Sequence, residues 1–399
     1  MSSTNRQMWP LYAAGFTTAF GAHGIAANLG GFSSLLVLGG LLALYDGAEV
    51  LLKPLFGSLA DRIGARPVLL GGLIAFALAS AAYVAASALS DSLAWLWAAR
   101  LGQGAAASAF SPSASALVAR LNPAARHGRA FGSYGFWKSI GYTLGPLLGG
   151  VLVWAGGLSL LFVVLAVLGA AVALWAFLVV PVMAPLPKAR QTVLDLARRL
   201  TDPVFLAPTA ALAAATAALS VGVGFLPVAG RTAGLGTIAT GAAVSLLALA
   251  AAVVQPRAGR ALDEGRLTTR AGLSAGMTVT VAGLLAAMLP GTSEAPGASA
   301  VAGVAGVLLG AVLIGVGTGL ITPLGFAALA ANTPQERLGQ TMGSAELGRE
   351  LGDAGGPLLV AGVATLTTLV YGFAALAVVI AALGWFVAVA SRRSRPVSG

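Results

Sequence analysis

Runs of apolar residues recur along this chain at the length of a membrane span, and that recurrence constrains its fold more than any other feature. A helix rises about 1.5 Å per residue and the hydrocarbon layer is about 30 Å thick, so about 20 mostly apolar residues cross it. Blocks of this kind lie near residues 9–30, 34–58, 67–89, 93–119, 130–154, 158–183, 203–228, 236–256, 271–290, 299–331, 341–365 and 367–391. The short alternating strands of a membrane barrel are absent from this pattern. The expectation is an all-α integral membrane protein with twelve transmembrane helices. With 58% hydrophobic and 9% charged residues, the chain has too little polar surface to coat a water-soluble globule.

The few charges are unevenly placed. If the N-terminus is cytoplasmic, the inner loops and tails hold eighteen of the 23 Lys and Arg, from Arg6 through Arg126, Arg198 and Arg266 to Arg395. The outer loops hold only Arg231. That asymmetry predicts a multi-pass protein of the cell (inner or plasma) membrane with both termini in the cytoplasm. It also explains the net charge of +10 through contact with anionic lipid, so no nucleic-acid partner is called for. There is no cysteine, which excludes disulfides and thiol-ligated metals. No metal-ligand cluster and no nucleotide-binding glycine loop is present, so the expectation is no metal, no cofactor and no enzyme activity. The opening MSSTNRQMWP runs into a full-length span without a small-residue cleavage signal and is expected to be retained.

The longest polar stretch between spans, PLPKARQTVLDLARRLTDP at residues 185–203, divides them six and six. Val193, Leu194, Leu196, Ala197 and Leu200 in it suit an amphipathic helix lying on the membrane surface. The predicted organisation is an N-terminal six-helix bundle over 1–183, a cytoplasmic linker over 184–203 and a C-terminal six-helix bundle over 204–399. The halves are related: PAARHGRAFGSYGFWKSIGYTLGPLL from Pro123 aligns without gaps with PQERLGQTMGSAELGRELGDAGGPLL from Pro334, ten of 26 positions being identical. KPLFGSLAD from Lys53 and QPRAGRALD from Gln255 keep Pro, Gly and Asp in register. Parallel repeats of this kind belong to transporters with two pseudo-symmetric bundles.

Three motifs make the whole chain resemble the major facilitator superfamily. GSLADRIGARP after the second span resembles its inner-loop signature, with Gly57, Asp61, Arg62, Gly64 and Arg66 in place and Ala65 where a first basic residue is usual. RLGQG at Arg100–Gly104, with Gln103, resembles its buried-arginine motif. Gly132, Gly141, Gly145, Pro146, Gly149 and Gly150 match G-x8-G-x3-GP-x2-GG, which is similar to the signature of the twelve-helix drug/proton antiporters. The resemblance implies alternating access, a buried arginine tied to proton coupling, and export in exchange for protons.

The residues carry their own reading. Glycines at three- and four-residue spacing let helix backbones approach, and Pro146 frees a carbonyl. Asp61 is placed to accept from N–H groups at a helix start, while Arg62 and Arg66 are expected to pair with acids. ELGRELGDAGGP at 346–357 puts Glu346, Arg349, Glu350 and Asp353 on one face of the eleventh span, and Asp46, Glu49 and Lys53 share a face of the second. Measured from their span ends these charges fall level. The expected pairs are Lys53 with Glu346 and Glu49 with Arg349, with Asp46 and Asp353 sharing a proton. Arg100, seven residues into a span, is expected to face a cavity.

Candidate coupling residues are therefore Asp46, Glu49, Glu346, Glu350, Asp353 and His23, the last because imidazole titrates near neutrality. Candidate substrate contacts are Arg100, Gln103, Trp137, Lys138, Tyr142, Arg349 and Asn28. Lys53, the inner-loop residues and the helix-5 glycines and Pro146 are candidate gating residues. Five membrane carboxylates against four cations point to a polar or ionised substrate. The expected function is proton-coupled export of a small polar or ionised molecule or drug by a monomer in lipid. A proton-coupled importer and a non-coupled scramblase or receptor on the same fold remain alternatives.

Overall fold

A computed structural model describes residues 3–28, 35–90, 92–183, 201–235, 237–289 and 298–393. The long elements among them are all helices: α1 (Ser3–Asn28), α2 (Leu35–Ile63), α3 (Ala65–Ser87) and α4 (Leu93–Leu121). The helical run His127–Val179 is broken at Gly156 and Gly157, where φ is −161° and +68°. The second value lies in the left-handed region that favours glycine. We call the arms α5 (127–155) and α6 (158–179). The rest are α7 (Pro203–Thr232), α8 (Thr237–Asp263), α9 (Thr269–Ala286), α10 (Ala298–Ala331), α11 (Leu338–Leu366) and α12 (Leu369–Arg393). Twelve long helices among the described residues match the expected all-α architecture. The linker expected over 184–203 falls, up to residue 200, outside the described residues.

Local chemistry sets several helix starts. Ser92 accepts from Ala94 N at 3.4 Å and Thr268 from Ala271 N at 3.2 Å. Asp202 accepts from Val204 N at 2.9 Å ahead of Pro203. Each side chain satisfies a donor that the first turn leaves open. Among the described residues, six helical stretches are long and apolar enough to cross a membrane, including Ala65–Ser87, Ala124–Val179 and Leu369–Ala390. α2, with Asp46, Glu49, Lys53 and Asp61, and α11, with Glu346, Arg349, Glu350 and Asp353, are not among those stretches.

The chain forms two compact units. The first comprises Met1–Ala124, Ser133–Lys188 and Thr333–Leu347; the second comprises Ala125–Gly132, Ala189–Asn332 and Gly348–Gly399. The start of α5 thus clusters with the second unit and the start of α11 with the first. In the first unit α4 packs on α1, α2 and α3, and its residues Ala106 to Ala119 are buried on every face. In the second unit α10 packs on α7, α8 and α9, and α12 on α7 and α9. Leu247, Met277, Leu284, Ile314, Ile321 and Phe373 anchor that core.

Candidate gating and substrate sites

α11 begins at Leu338 after a 3-10 turn over Gln335–Arg337, so its first N–H groups have no partner within the helix. Asp61, near the end of α2, fills that need. Gly339 N donates to Oδ1 at 2.7 Å and Gln340 N to Oδ2 at 2.8 Å. The carboxylate also sits where the helix dipole favours negative charge. Such closeness requires bare backbones: a Cβ on Gly57 would strike the Gly339 carbonyl oxygen, and one on Gly343 would lie 2.7 Å from the Lys53 carbonyl oxygen.

The same latch occurs in the second unit, between α8 and the start of α5. Gly128 N and Arg129 N donate to the two oxygens of Asp263, each at 2.8 Å. A Cβ on either Gly128 or Gly259 would strike the other's carbonyl oxygen, and one on Gly132 would lie 2.6 Å from Gln255 O. The sequence reading did not single out Asp263, Gly128, Gly259, Gly339 or Gly343. The signal was there, since the internal repeat sets Gly57 and Asp61 against Gly259 and Asp263, and Gly128 against Gly339. The two arginines of the inner-loop motif depart from expectation. Arg66 donates to the Phe177 carbonyl oxygen at 2.7 Å and lies over the Phe177 ring, rather than pairing with an acid. Arg62 is exposed at the end of α2, and none of the ion pairs found among the described residues includes it. Gly64 has φ +101° and joins α2 to α3, a conformation that L side chains rarely adopt.

Above the first latch lies a buried ionic cluster. Lys53 Nζ donates to Glu49 Oε2 at 2.6 Å and sits 3.8 Å from Glu346 Oε2. The side chains of Lys53 and Glu346 are 2% and 1% exposed, so water screens this charge poorly. Glu49 pairs with Lys53 one turn along its own helix. Arg349 is buried with its guanidinium 5.7 Å from the Phe326 ring centroid. Glu350 and Asp353 are half-buried in the second unit, whereas Asp46 is exposed in the first.

The helix-5 glycines divide their work. Gly132 meets α8, while Gly141, Gly145 and Gly149 meet α1: added Cβ atoms there would fall 2.5 Å from Phe16 O, 2.9 Å from Phe20 O and 2.9 Å from Gly24 O. Gly150 faces Asn28, whose amide donates to Gly24 O at 2.7 Å. Asn28 thus packs within the α1–α5 seam. Beside that seam the His23 and Tyr142 rings meet edge-on at 4.4 Å, and Lys138 Nζ lies 6.0 Å from the Tyr142 centroid. Trp137 meets Trp9 at 5.5 Å. Pro146, lacking an N–H, leaves the Tyr142 carbonyl without its helical donor.

Arg100 was expected to face a cavity and is instead enclosed, 1% exposed. Its Nε donates to Leu41 O at 3.3 Å and its guanidinium lies 4.3 Å from the Tyr45 centroid. Gln103 is turned toward α3, donating to Ser80 Oγ at 2.9 Å. α2 gives Arg100 one hydrogen bond and a ring face and α3 gives Gln103 one hydrogen bond, while Arg100 Nη1 and Gln103 Oε1 are buried without a hydrogen-bond partner.

A family model described as the Major Facilitator Superfamily matches residues 2–310. The chain belongs to the Major Facilitator Superfamily. It is therefore a multi-pass membrane protein of a transporter family, whose members are not enzymes. This superfamily member is 37% identical over 123 residues to a methylenomycin A resistance protein of Bacillus subtilis, covering 30% of this chain and 25% of the relative. Over 114 residues it is 36% identical to the class H tetracycline resistance protein of Pasteurella multocida, covering 29% and 27%. The matched stretches span only about a quarter of the length of these relatives. Among solved structures, the human organic anion transporter MFSD10 (TETRAN) superposes with a TM-score of 0.75 at 20% identity, covering 97% of this chain and all of the other. FucP in its outward conformation gives 0.77 at 12% identity, covering 98% and 100%. Both likenesses speak to the fold.

Proposed function

We propose that this transporter exports a small polar or ionised molecule in exchange for protons across the cell membrane, with both termini in the cytoplasm. The observation that carries the reading is Lys53 enclosed between the Glu49 and Glu346 carboxylates. Buried ionisable groups in a span are costly and mark ion pathways by default. The resistance functions printed for the two relatives support the outward direction. In this reading the bundles 1–183 and 204–399, joined by 184–203, rock to give alternating access. The Asp61 latch and the glycine seams guide that motion, and proton binding among Asp46, Glu49, Glu346, Glu350, Asp353 and His23 drives it. Arg349, Lys138, Tyr142 and Trp137 contact the substrate, and Arg100 with Gln103 holds α2 and α3 behind them. The transporter acts as a monomer with protons, lipid and substrate as its partners.

The test is flux in proteoliposomes with an imposed pH gradient. Substrate moves against its own gradient as protons move the other way, and Asp46→Asn or Asp353→Asn abolishes the pH-driven component. Uptake in the same direction as protons establishes an importer. Flux indifferent to collapse of the gradient establishes an uncoupled path.

A further inference from the structure

In the second unit a cavity of about 220 Å³ opens between α7, α11 and α12. Its walls carry alanine, glycine, valine, leucine and isoleucine alone, among them Ala217 of α7, Leu351 and Leu359 of α11, and Val379 and Leu383 of α12. Gly355 forms part of the α11 wall, and a Cβ built there meets nothing within 4 Å. Packing accounts for the glycines on either side of it: a Cβ on Gly352 would strike the Ala213 carbonyl oxygen, and one on Gly356 would lie 2.8 Å from Ala217 O. Gly355 seats no helix. On an exposed stretch of helix, glycine is less stable than alanine, so the space it leaves calls for an occupant from outside the chain.

The internal repeat isolates this difference. Gly352 and Gly356 align with Gly141 and Gly145, which bring α5 onto α1 in the same manner. Gly355 aligns with Leu144. Helix seating is thus common to both copies, and the second withholds a side chain that the first supplies.

Depth and chemistry select what enters. Gly355 stands eleven residues before the end of α11 at Leu366, about 17 Å along the axis, which reaches the middle of a hydrocarbon layer about 30 Å thick. Lipid head groups lie outside that layer. Leu351 and Val379 line the cavity and are also exposed, so the cavity is continuous with the apolar surface that this membrane protein turns to lipid. Glu350 stands five positions before Gly355, about 140° around the helix, so the cavity opens away from the acidic face of α11.

We infer that this cavity binds one acyl chain of a membrane phospholipid, which takes the place that Leu144 holds in the other copy. A chain that is slender and apolar along its length matches walls that offer no polar side chain. Binding follows apolar burial, so it depends on chain length and not on the head group. The site rests on membership of a membrane family and is independent of what the transporter carries or exchanges.

Purified protein is stripped of lipid in detergent and dioleoyl phosphatidylcholine is added back. Bound lipid is counted by native mass spectrometry while thermal unfolding is followed in parallel. The parent retains one tightly bound lipid, which raises its unfolding temperature. Gly355→Leu installs the residue of α5 and weakens this binding about tenfold or more, as lost burial of two or more methylene groups requires. Val379→Phe fills the same cavity from α12 and acts likewise, so the result does not hang on one variant. Gly362→Leu lies on the same helix outside the cavity, with open space around it, and keeps the parent's affinity. Dioleoyl phosphatidylglycerol binds as tightly as the phosphatidylcholine, and dihexanoyl phosphatidylcholine, with chains too short for this depth, does not stabilise. A dioleoyl-length lipid with a diazirine in its chain crosslinks to α11 and α12 of the parent and not to those helices in Gly355→Leu. Unchanged lipid affinity in folded Gly355→Leu and Val379→Phe overturns the assignment, as does binding that follows the head group and ignores chain length. A parent dimer that Gly355→Leu dissociates without loss of lipid places a second copy at the cavity and overturns it too.

Discussion

The latch at the start of α11 and the latch at the start of α5 share a backbone plan and differ in their ionisable side chains. In each, an aspartate accepts two N–H groups from the first turn of the facing helix, at 2.7 to 2.8 Å, across glycines that admit no Cβ. Around the first stand Lys53, Glu49 and Glu346; the aligned positions around the second are Gln255, Ala251 and Gly135. Closing two helices together is thus a task for glycine and a capping carboxylate. The buried ions are an addition made at one latch only, so mechanical closure and ionic control are separable by mutation.

The largest expected effect comes from denying the close approach itself. Gly57→Leu and Gly259→Leu each force side-chain atoms into a facing carbonyl, and neither is expected to yield monodisperse protein after detergent extraction. Gly47→Ala and Gly355→Ala serve as controls, since a Cβ there meets nothing within 4 Å. They should match the parent or gain up to about 1 kcal/mol, the helix-propensity difference between the two residues. Tolerance of leucine at one latch and not the other would end the claim of equivalent backbones.

Next in size is removal of the caps. Asp61→Ala forfeits two hydrogen bonds to a charged group, each contributing about 1.5–3 kcal/mol, and Asp61 is buried. Asp263 makes the same bonds from a half-buried position, so Asp263→Ala should cost less. Thermal unfolding ranks them, and amide exchange localises the loss to Gly339 and Gln340 in one case and Gly128 and Arg129 in the other. A larger loss from Asp263 would reverse the ranking drawn from burial.

A graft sharpens the contrast between the two latches. Glu49→Ala, Lys53→Gln and Glu346→Gly combined give the first latch the side chains of the second. Replacing a buried ion cluster as a whole is often nearly neutral, whereas removing one partner costs about 3–5 kcal/mol. The triple variant is therefore expected to unfold at a higher temperature than Lys53→Gln alone. In vesicles it should lose the response to a pH gradient while its folded yield stays near the parent's. A triple variant less stable than the single change would show that the cluster holds the latch shut rather than controlling it.

The helices, the repeat and the glycine register were legible in the sequence because each is a pattern of residue type along one strand of text. Asp61 as a helix cap and Lys53 opposite Glu346 were legible too, since both follow from the spacing of charges on predicted helices. Arg100 was not. Whether an arginine in a span meets water or protein depends on what stands opposite, and here Leu41 O and the Tyr45 ring stand opposite. Gln103 and Ser80 make the same point. Arg66 found the Phe177 carbonyl across 111 positions of sequence, a partner that carries no charge and leaves no mark in a charge pattern.

The smallest effect tests how Lys53 divides its charge. It contacts Glu49 at 2.6 Å and Glu346 at 3.8 Å, and Coulomb energy falls with separation. Double-mutant cycles with glutamine at each position should give a larger coupling energy for Lys53 with Glu49 than for Lys53 with Glu346. The difference is expected at about 1 kcal/mol, within the span of couplings measured for contacting groups. Lys53→Glu with Glu346→Lys is a sterner form of the same question. The exchange restores an opposite-charge pair between α2 and α11 but sets two glutamates one turn apart on α2, where like charges repel. Recovery should therefore be partial, and adding Glu49→Gln should improve it. If the exchange alone restores full stability and flux, Glu49 contributes nothing to the cluster, and the ionic difference between the two latches reduces to the single pair of Lys53 and Glu346.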